Sequence, residues 1–205
     1  MPTLLLIRHG ENDYVKKKRL AGRMEGVHLN DKGRAQAQAL ADHLAKAPIK
    51  AVYSSPLERT METAEPIAEA LGLEVIPRPG LLETHYGTWQ GKTLKQLRRR
   101  KLWKVVQRAP SLARFPEGES FAETQQRISC EIESICSDHK PKDLVVCVGH
   151  ADPIKLAVAY YLGLPLDLFQ RLIVAPASIS AIHIGESGSR LLTLNFDPSL
   201  TFSDS

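Results

Sequence analysis

The chain has 205 residues, of which 43% are hydrophobic, and a formal net charge of +4 at pH 7. That supports one sizeable core and excludes a disordered polymer. The balance is only mildly basic, and its dense run, Arg98 to Lys101, has no interleaved aromatic platform, so no nucleic-acid partner is expected. No apolar run reaches membrane-spanning length and no secretory leader pattern opens the chain, so the expectation is a cytoplasmic protein with no membrane partner.

Residues 3–7 (TLLLI) form a short, nearly all-apolar run that predicts a strand buried on both faces. A helix over about 31–46 follows, with Ala37, Leu40, Ala41 and Leu44 on one face and Asn30 or Asp31 as its cap. Residues 50–54 predict a second strand. The next helix is expected from Pro56, with Ser55 as N-cap, Glu58 completing a capping box, and a stripe of Leu57, Met61, Ala64, Ala68 and Leu71. Pro66 predicts a kink or break in it, and Gly72 its end. A short strand at 74–76 and an irregular segment over 80–91 come next.

Thr93 with Gln96 makes a capping box that opens a basic helix, and 109–118 reads as a loop. Ser120 with Glu123 caps a long helix burying Phe121, Ile128, Ile132 and Ile135. Residues 143–148 (DLVVCV) predict the clearest strand, followed by a helix over 151–162 that Gly163 and Pro165 close. Two last strands, 178–184 and 190–195, are joined by a Gly-containing turn at 186–189 and should pair antiparallel. The polar residues 199–205 are expected to fray. Cys130, Cys136 and Cys147 lack disulfide or zinc spacing and are expected to be buried, reduced thiols.

Alternating strands and helices imply an α/β fold with a mostly parallel sheet, and such sheets bind ligands beyond the carboxyl ends of their strands. There the first strand delivers Arg8, His9, Gly10 and Glu11, the second Ser54 and Ser55 with Arg59 just beyond, and the strand at 143–148 Gly149 and His150. Glu83 lies in a loop able to cover them. Arginine forks and a helix N-terminus bind phosphate. One imidazole can attack phosphorus while a second donates to the equatorial oxygens. A carboxylic acid can protonate the leaving oxygen. No metal ligand set accompanies the two histidines, so no metal and no cofactor are expected.

These motifs resemble the histidine phosphatase superfamily in its phosphoglycerate-mutase-like branch. The resemblance lies in residues 6–11 (LIRHGE), 29–37 (LNDKGRAQA), 53–63 (YSSPLERTMET), 83–91 (ETHYGTWQG), 115–120 (FPEGES) and 148–150 (VGH). It spans nearly the whole chain in family order. It implies a three-layer α/β/α sandwich with a mostly parallel sheet, one domain over 1–205, and a short helical lid at about 91–118. It also implies His9 as phosphorylated nucleophile, Glu83 as proton donor, and Arg8, Arg59, His150 and the Ala151 amide as the phosphate pocket.

The sequence departs from the family pattern at Val15, where many members carry an Asn that Asn12 or Asn30 could replace, and at Ala151 and Asp152, where many carry two glycines. Asp152 is expected to cap its helix; facing the pocket, it would instead favour a substrate bearing a donor. The stretch 150–155 (HADPIK) is similar to a bacterial branch labelled as phosphomutases. A short lid favours hydrolysis over transfer to a second sugar acid. The expected activity is hydrolysis of a small phosphorylated metabolite, with a phosphoglycerate mutase or phosphomutase and a phospho-ligand-binding protein as alternatives. Trp89, Trp103, Phe115 and Tyr86 are expected to hold the lid to the body, with a pocket for an apolar leaving group as the alternative.

Overall fold

In a computed structural model, which describes residues 2–185 and 188–198, six strands form one sheet in the order β3-β2-β4-β1-β5-β6. These are β1 (Thr3–Arg8), β2 (Ile49–Ser54), β3 (Val75–Pro77), β4 (Leu144–Gly149), β5 (Ile179–Gly185) and β6 (Gly188–Phe196). The first four run parallel, whereas β5 joins β1 and β6 joins β5 antiparallel. Glu186 and Ser187 of the expected turn, and the expected frayed tail 199–205, lie outside the described residues.

Helices cover both faces. On one, α2 (Asp31–Leu44) and α3 (Glu58–Leu71) close a core with Ile7, Val52, Val146 and Val148. On the other, α6 (Phe121–Ser137) and α7 (Ala151–Tyr161) close a core with Leu4, Leu6, Val145 and Cys147. The sheet at the centre is fully enclosed, as its all-apolar strands require. A short α1 (Asp13–Lys16) precedes α2. Among the described residues no helix is long and apolar enough to cross a membrane.

Several local expectations hold because the chemistry is local. Asn30 caps α2 by accepting from Gly33 N, and both capping boxes, Thr93 with Gln96 and Ser120 with Glu123, are formed. Gly72 ends α3 in the left-handed conformation. Gly10 is needed for space: a Cβ there would stand 2.6 Å from the Gly33 carbonyl oxygen.

Other expectations are corrected. Helix α3 starts at Glu58 with Leu57 as an uncapped N-cap, not at Pro56, because the Ser55 hydroxyl is engaged by His150 and its carbonyl by Thr60 Oγ1. The helix runs unbroken through Pro66, with Ala64, Ile67 and Ala68 packed against the sheet; Met61 is only half-buried. The segment opened by Thr93 is two helices, α4 (Leu94–Leu97) and α5 (Lys101–Arg108), with Arg98 to Arg100 exposed at the junction. Cys136 and Cys147 are buried free thiols, but Cys130 is on the exposed face of α6.

Candidate active site

The end of β1 carries Arg8 and His9, and the end of β4 carries His150, which is also the N-cap of α7. The second residue of α3 is Arg59. His9, His150, Arg59 and Glu83 are all at least nine-tenths buried. The two imidazoles meet edge to face at 5.4 Å between ring centroids.

Their tautomers follow from their partners. His9 Nδ1 lies 2.7 Å from the Gly10 carbonyl, which can only accept, so Nδ1 carries the proton and Nε2 the lone pair. His150 Nδ1 accepts from Arg59 Nη2 at 3.3 Å, so Nε2–H donates to Ser55 Oγ at 2.9 Å. Burial, and then the charges of Arg59 and Arg8, push His9 well below the usual histidine range; burial, Arg59 and His9 do the same to His150. His9 is therefore a neutral imidazole with a free ring nitrogen.

Both arginines are anchored and still have donors to spare. Arg8 Nη1 donates to the Val174 carbonyl at 2.8 Å, and Arg59 Nη2 to the Gly22 carbonyl at 2.6 Å. The buried Arg8 Nε and Arg59 Nε and Nη1 have no partner among the described residues. Buried guanidinium donors without partners are costly, and an anion placed among them removes that cost. Ala151, the first residue of α7, lines with Arg8, Glu83, Tyr86 and Asp152 a space of about 160 Å³ that Arg8 joins to the buried histidines and Arg59, which themselves are not among its described lining residues.

The Glu83 carboxylate accepts from the Thr84 amide at 2.9 Å. Burial, then the nearby Asp152 charge, pushes its carboxyl up to about 7. Asp152 does not cap α7. Its Oδ2 accepts from Tyr86 OH at 2.8 Å, and its Oδ1 pairs with Lys155 Nζ at 2.7 Å. Burial opposes ionisation of Asp152, but Lys155 and the Tyr86 hydroxyl hold it below the usual carboxylate range. The pocket-facing alternative is thus the one the structure adopts.

Neither substitute expected for the missing Asn is among the described residues that line the 160 Å³ space. Asn30 is spent on capping α2 and on Glu11 Oε1 at 3.1 Å. Asn12 caps α1 by accepting from Val15 N at 2.9 Å, and its buried Nδ2 has no partner among the described residues. Val15 itself lines the pocket wall.

Sequence reasoning missed the scaffold of the acid loop. Arg23 Nε donates to the Glu83 carbonyl at 2.8 Å, and Arg127 Nη1 to the Gly80 and Leu82 carbonyls at 2.8 and 2.9 Å. Glu119 ties the two arginines together at 2.7 and 3.1 Å and accepts from the His85 amide at 3.0 Å. Burial works against the Glu119 charge, but Arg127 and the His85 amide bring its carboxyl down to about 2. A depressed carboxylate contributes stability that is present above its unfolded pKa and lost as pH falls towards the folded one. Glu119→Gln is expected to cost on the order of 2 kcal/mol at pH 7, the cost shrinking as pH falls from about 4.5 towards 2. Urea unfolding of both proteins at pH 7 and pH 3 checks this; an equal cost at both removes the charge from the explanation.

The sequence also carries a second basic run, Lys16 to Arg19, as dense as Arg98 to Lys101. It meets the lid: Leu94 N donates to the Lys18 carbonyl at 2.8 Å, and Lys17, Lys18, Lys95 and Arg98 surround one surface recess. Arg19 and Tyr14 continue from there to the pocket wall. Such a ridge raises the local concentration of an anion. Replacing Arg98, Arg99 and Arg100 by Gln should raise KM about threefold near 0.02 M ionic strength and hardly at all near 0.5 M. A salt-independent KM would leave the ridge as plain surface.

The model of the histidine phosphatase superfamily, branch 1, matches residues 4–197. Phosphoserine phosphatase 1 of Hydrogenobacter thermophilus is 32% identical over 197 residues, covering 95% of this chain and 92% of that protein. The structure of Bacillus stearothermophilus YhfR superposes with a TM-score of 0.89 at 28% identity, covering 96% of this chain and 98% of that one. A mycobacterial glucosyl-3-phosphoglycerate phosphatase does so with a TM-score of 0.85 at 31% identity, covering 95% and 98%. With a family match along nearly its full length and a relative 32% identical over 95% of it, the chain belongs to branch 1 of the histidine phosphatase superfamily.

Proposed function

We propose that the protein hydrolyses small phosphomonoesters without a metal, through a phosphohistidine on His9. The observation that carries this reading is the set of unpartnered guanidinium donors, Arg8 Nε and Arg59 Nε and Nη1, buried beside a histidine whose Nε2 is free. Relatives named phosphoserine phosphatase and glucosyl-3-phosphoglycerate phosphatase support it.

In this reading the arginines and the Ala151 amide hold the phosphoryl oxygens, and His9 Nε2 attacks phosphorus in line with the leaving oxygen. Glu83, protonated, gives its proton to that oxygen as the P–O bond breaks. Burial, and then Arg59, keep His150 neutral in the free protein; the bound phosphoryl charge favours uptake of a proton from solvent at its Nδ1, which then turns from accepting from Arg59 to donating to the developing charge. Water then attacks the phosphohistidine, Glu83 takes its proton, and phosphate leaves. Segment 91–118, the lid of this single domain, excludes bulk water during the first transfer.

The test is hydrolysis of p-nitrophenyl phosphate in excess EDTA, with 3-phosphoglycerate and 2,3-bisphosphoglycerate supplied in parallel. Phosphate release that chelation leaves intact is expected. Loss on chelation and return with a divalent ion overturns the mechanism, and isomerisation of phosphoglycerate without phosphate release makes the protein a mutase. No turnover of any of these, with phosphate bound tightly, makes it a phospho-ligand-binding protein.

A further inference from the structure

Next to the catalytic pocket lies a second space of about 220 Å³ under the lid helices, walled by Leu94, Trp89, Trp103, Val106, Phe115 and Phe121. Leu20, Tyr86 and Asp152 line both spaces and form the threshold between them. The wall is stiff. Trp89 stacks on Trp103 with centroids 6.2 Å apart, and Phe115 meets Trp89 and Tyr86 edge to face. These aromatic residues hold the lid down and also leave a chamber; an apolar cavity of about 150 Å³ already takes a benzene ring.

Its polar lining is sparse: Gln107, Gln170, and Tyr86, whose hydroxyl donates to the Asp152 carboxylate that lines the same space. Among the described residues neither arginine nor lysine lines it. Lys155, which pairs with Asp152, lies over the Phe169 ring and donates to Gln170, lining neither space. The side chain of Arg19, at the outer wall of the catalytic pocket, is turned to the Gly91 carbonyl through Nε and Nη2 at 2.9 and 2.7 Å. A leaving group that enters the chamber therefore buries apolar surface and passes a carboxylate on its way, with no cation to receive an acid.

We propose that this chamber is the leaving-group subsite and that it selects phosphate esters of uncharged, apolar alcohols, aryl or bulky alkyl, with Asp152 at the threshold disfavouring acidic ones. The proposal rests on the phosphatase reading and adds the substrate class. No covalent step is altered by it: the alcohol leaves with the proton from Glu83, as above.

The experiment compares kcat/KM for 1-naphthyl phosphate, phosphoserine and 3-phosphoglycerate in the wild type, Asp152→Asn and Leu94→Trp. The wild type should prefer 1-naphthyl phosphate by at least about tenfold. Leu94→Trp, which fills the chamber from a half-buried position, should raise KM for 1-naphthyl phosphate about tenfold, and Gln107→Trp, from the exposed edge, should act in the same direction. Asp152→Asn should shrink the preference over 3-phosphoglycerate about tenfold. Preference for 3-phosphoglycerate or phosphoserine, or indifference to both tryptophan substitutions, overturns the subsite and leaves the phosphatase intact. Failure to hydrolyse any of the three overturns the phosphatase reading instead.

Discussion

His9→Ala is expected to lower phosphate release about 10⁴-fold or more on every substrate, activated aryl phosphates included. The size of the effect follows from the role: with Nε2 gone no side chain remains to accept the phosphoryl group, whatever the leaving group. His150 does not replace it, because both of its ring nitrogens are committed, one to Arg59 and one to Ser55. The fold should survive, since the His9 ring contributes one hydrogen bond, to a neighbouring backbone carbonyl. A phosphate titration monitored by calorimetry separates the two roles: the variant should still bind inorganic phosphate through Arg8 and Arg59 while failing to turn over. Retention of even a hundredth of the wild-type rate would remove His9 from the nucleophile's place.

Glu83→Gln should separate substrates by leaving group. For an alkyl phosphate, whose alkoxide needs a proton, the loss should be about 10²- to 10⁴-fold, whereas for p-nitrophenyl phosphate it should be less than about tenfold. The pH dependence carries the same signature. A general acid works in its protonated form, which is present below its pKa and is lost as pH rises through it. With Glu83 pushed up to about 7 by burial and by Asp152, kcat/KM for alkyl phosphates should fall above about pH 7, and that limb should be missing from Glu83→Gln. Equal losses on both substrate classes would make Glu83 a structural carboxylate.

Much of the site is legible in the sequence because parallel strands end where ligands bind, and Arg8, His9 and His150 sit at such ends. Cap chemistry within one turn is equally legible, as Asn30, Thr93 and Ser120 demonstrate. What fails is any residue with two suitors. Ser55 fits an N-cap by type and spacing, but His150 arrives from 95 positions away and takes its hydroxyl. Asp152 fits a cap too, and Tyr86 and Lys155 draw it into the pocket.

The Arg23–Glu119–Arg127 brace leaves no pattern by which to find Arg23, because Glu119 and Arg127 lie eight residues apart around the start of α6 whereas Arg23 comes from 96 positions away and meets them only in the folded chain. Pro66 breaks a pattern on paper, yet α3 survives it, since packing of Ala64, Ile67 and Ala68 on the sheet outweighs one lost hydrogen bond. The exposed Cys130 follows from helical phase: it shares α6 with Ile128 and Ile132 but points away from their face.

The most direct measurement is a rapid quench of the protein with ³²P-labelled substrate, followed by peptide mapping. Acid-labile, base-stable label on the peptide carrying His9, formed and lost fast enough to account for turnover and missing from His9→Ala, is the predicted result. Turnover with no label on His9 at any time, or label on another residue, would contradict a phosphohistidine at this position.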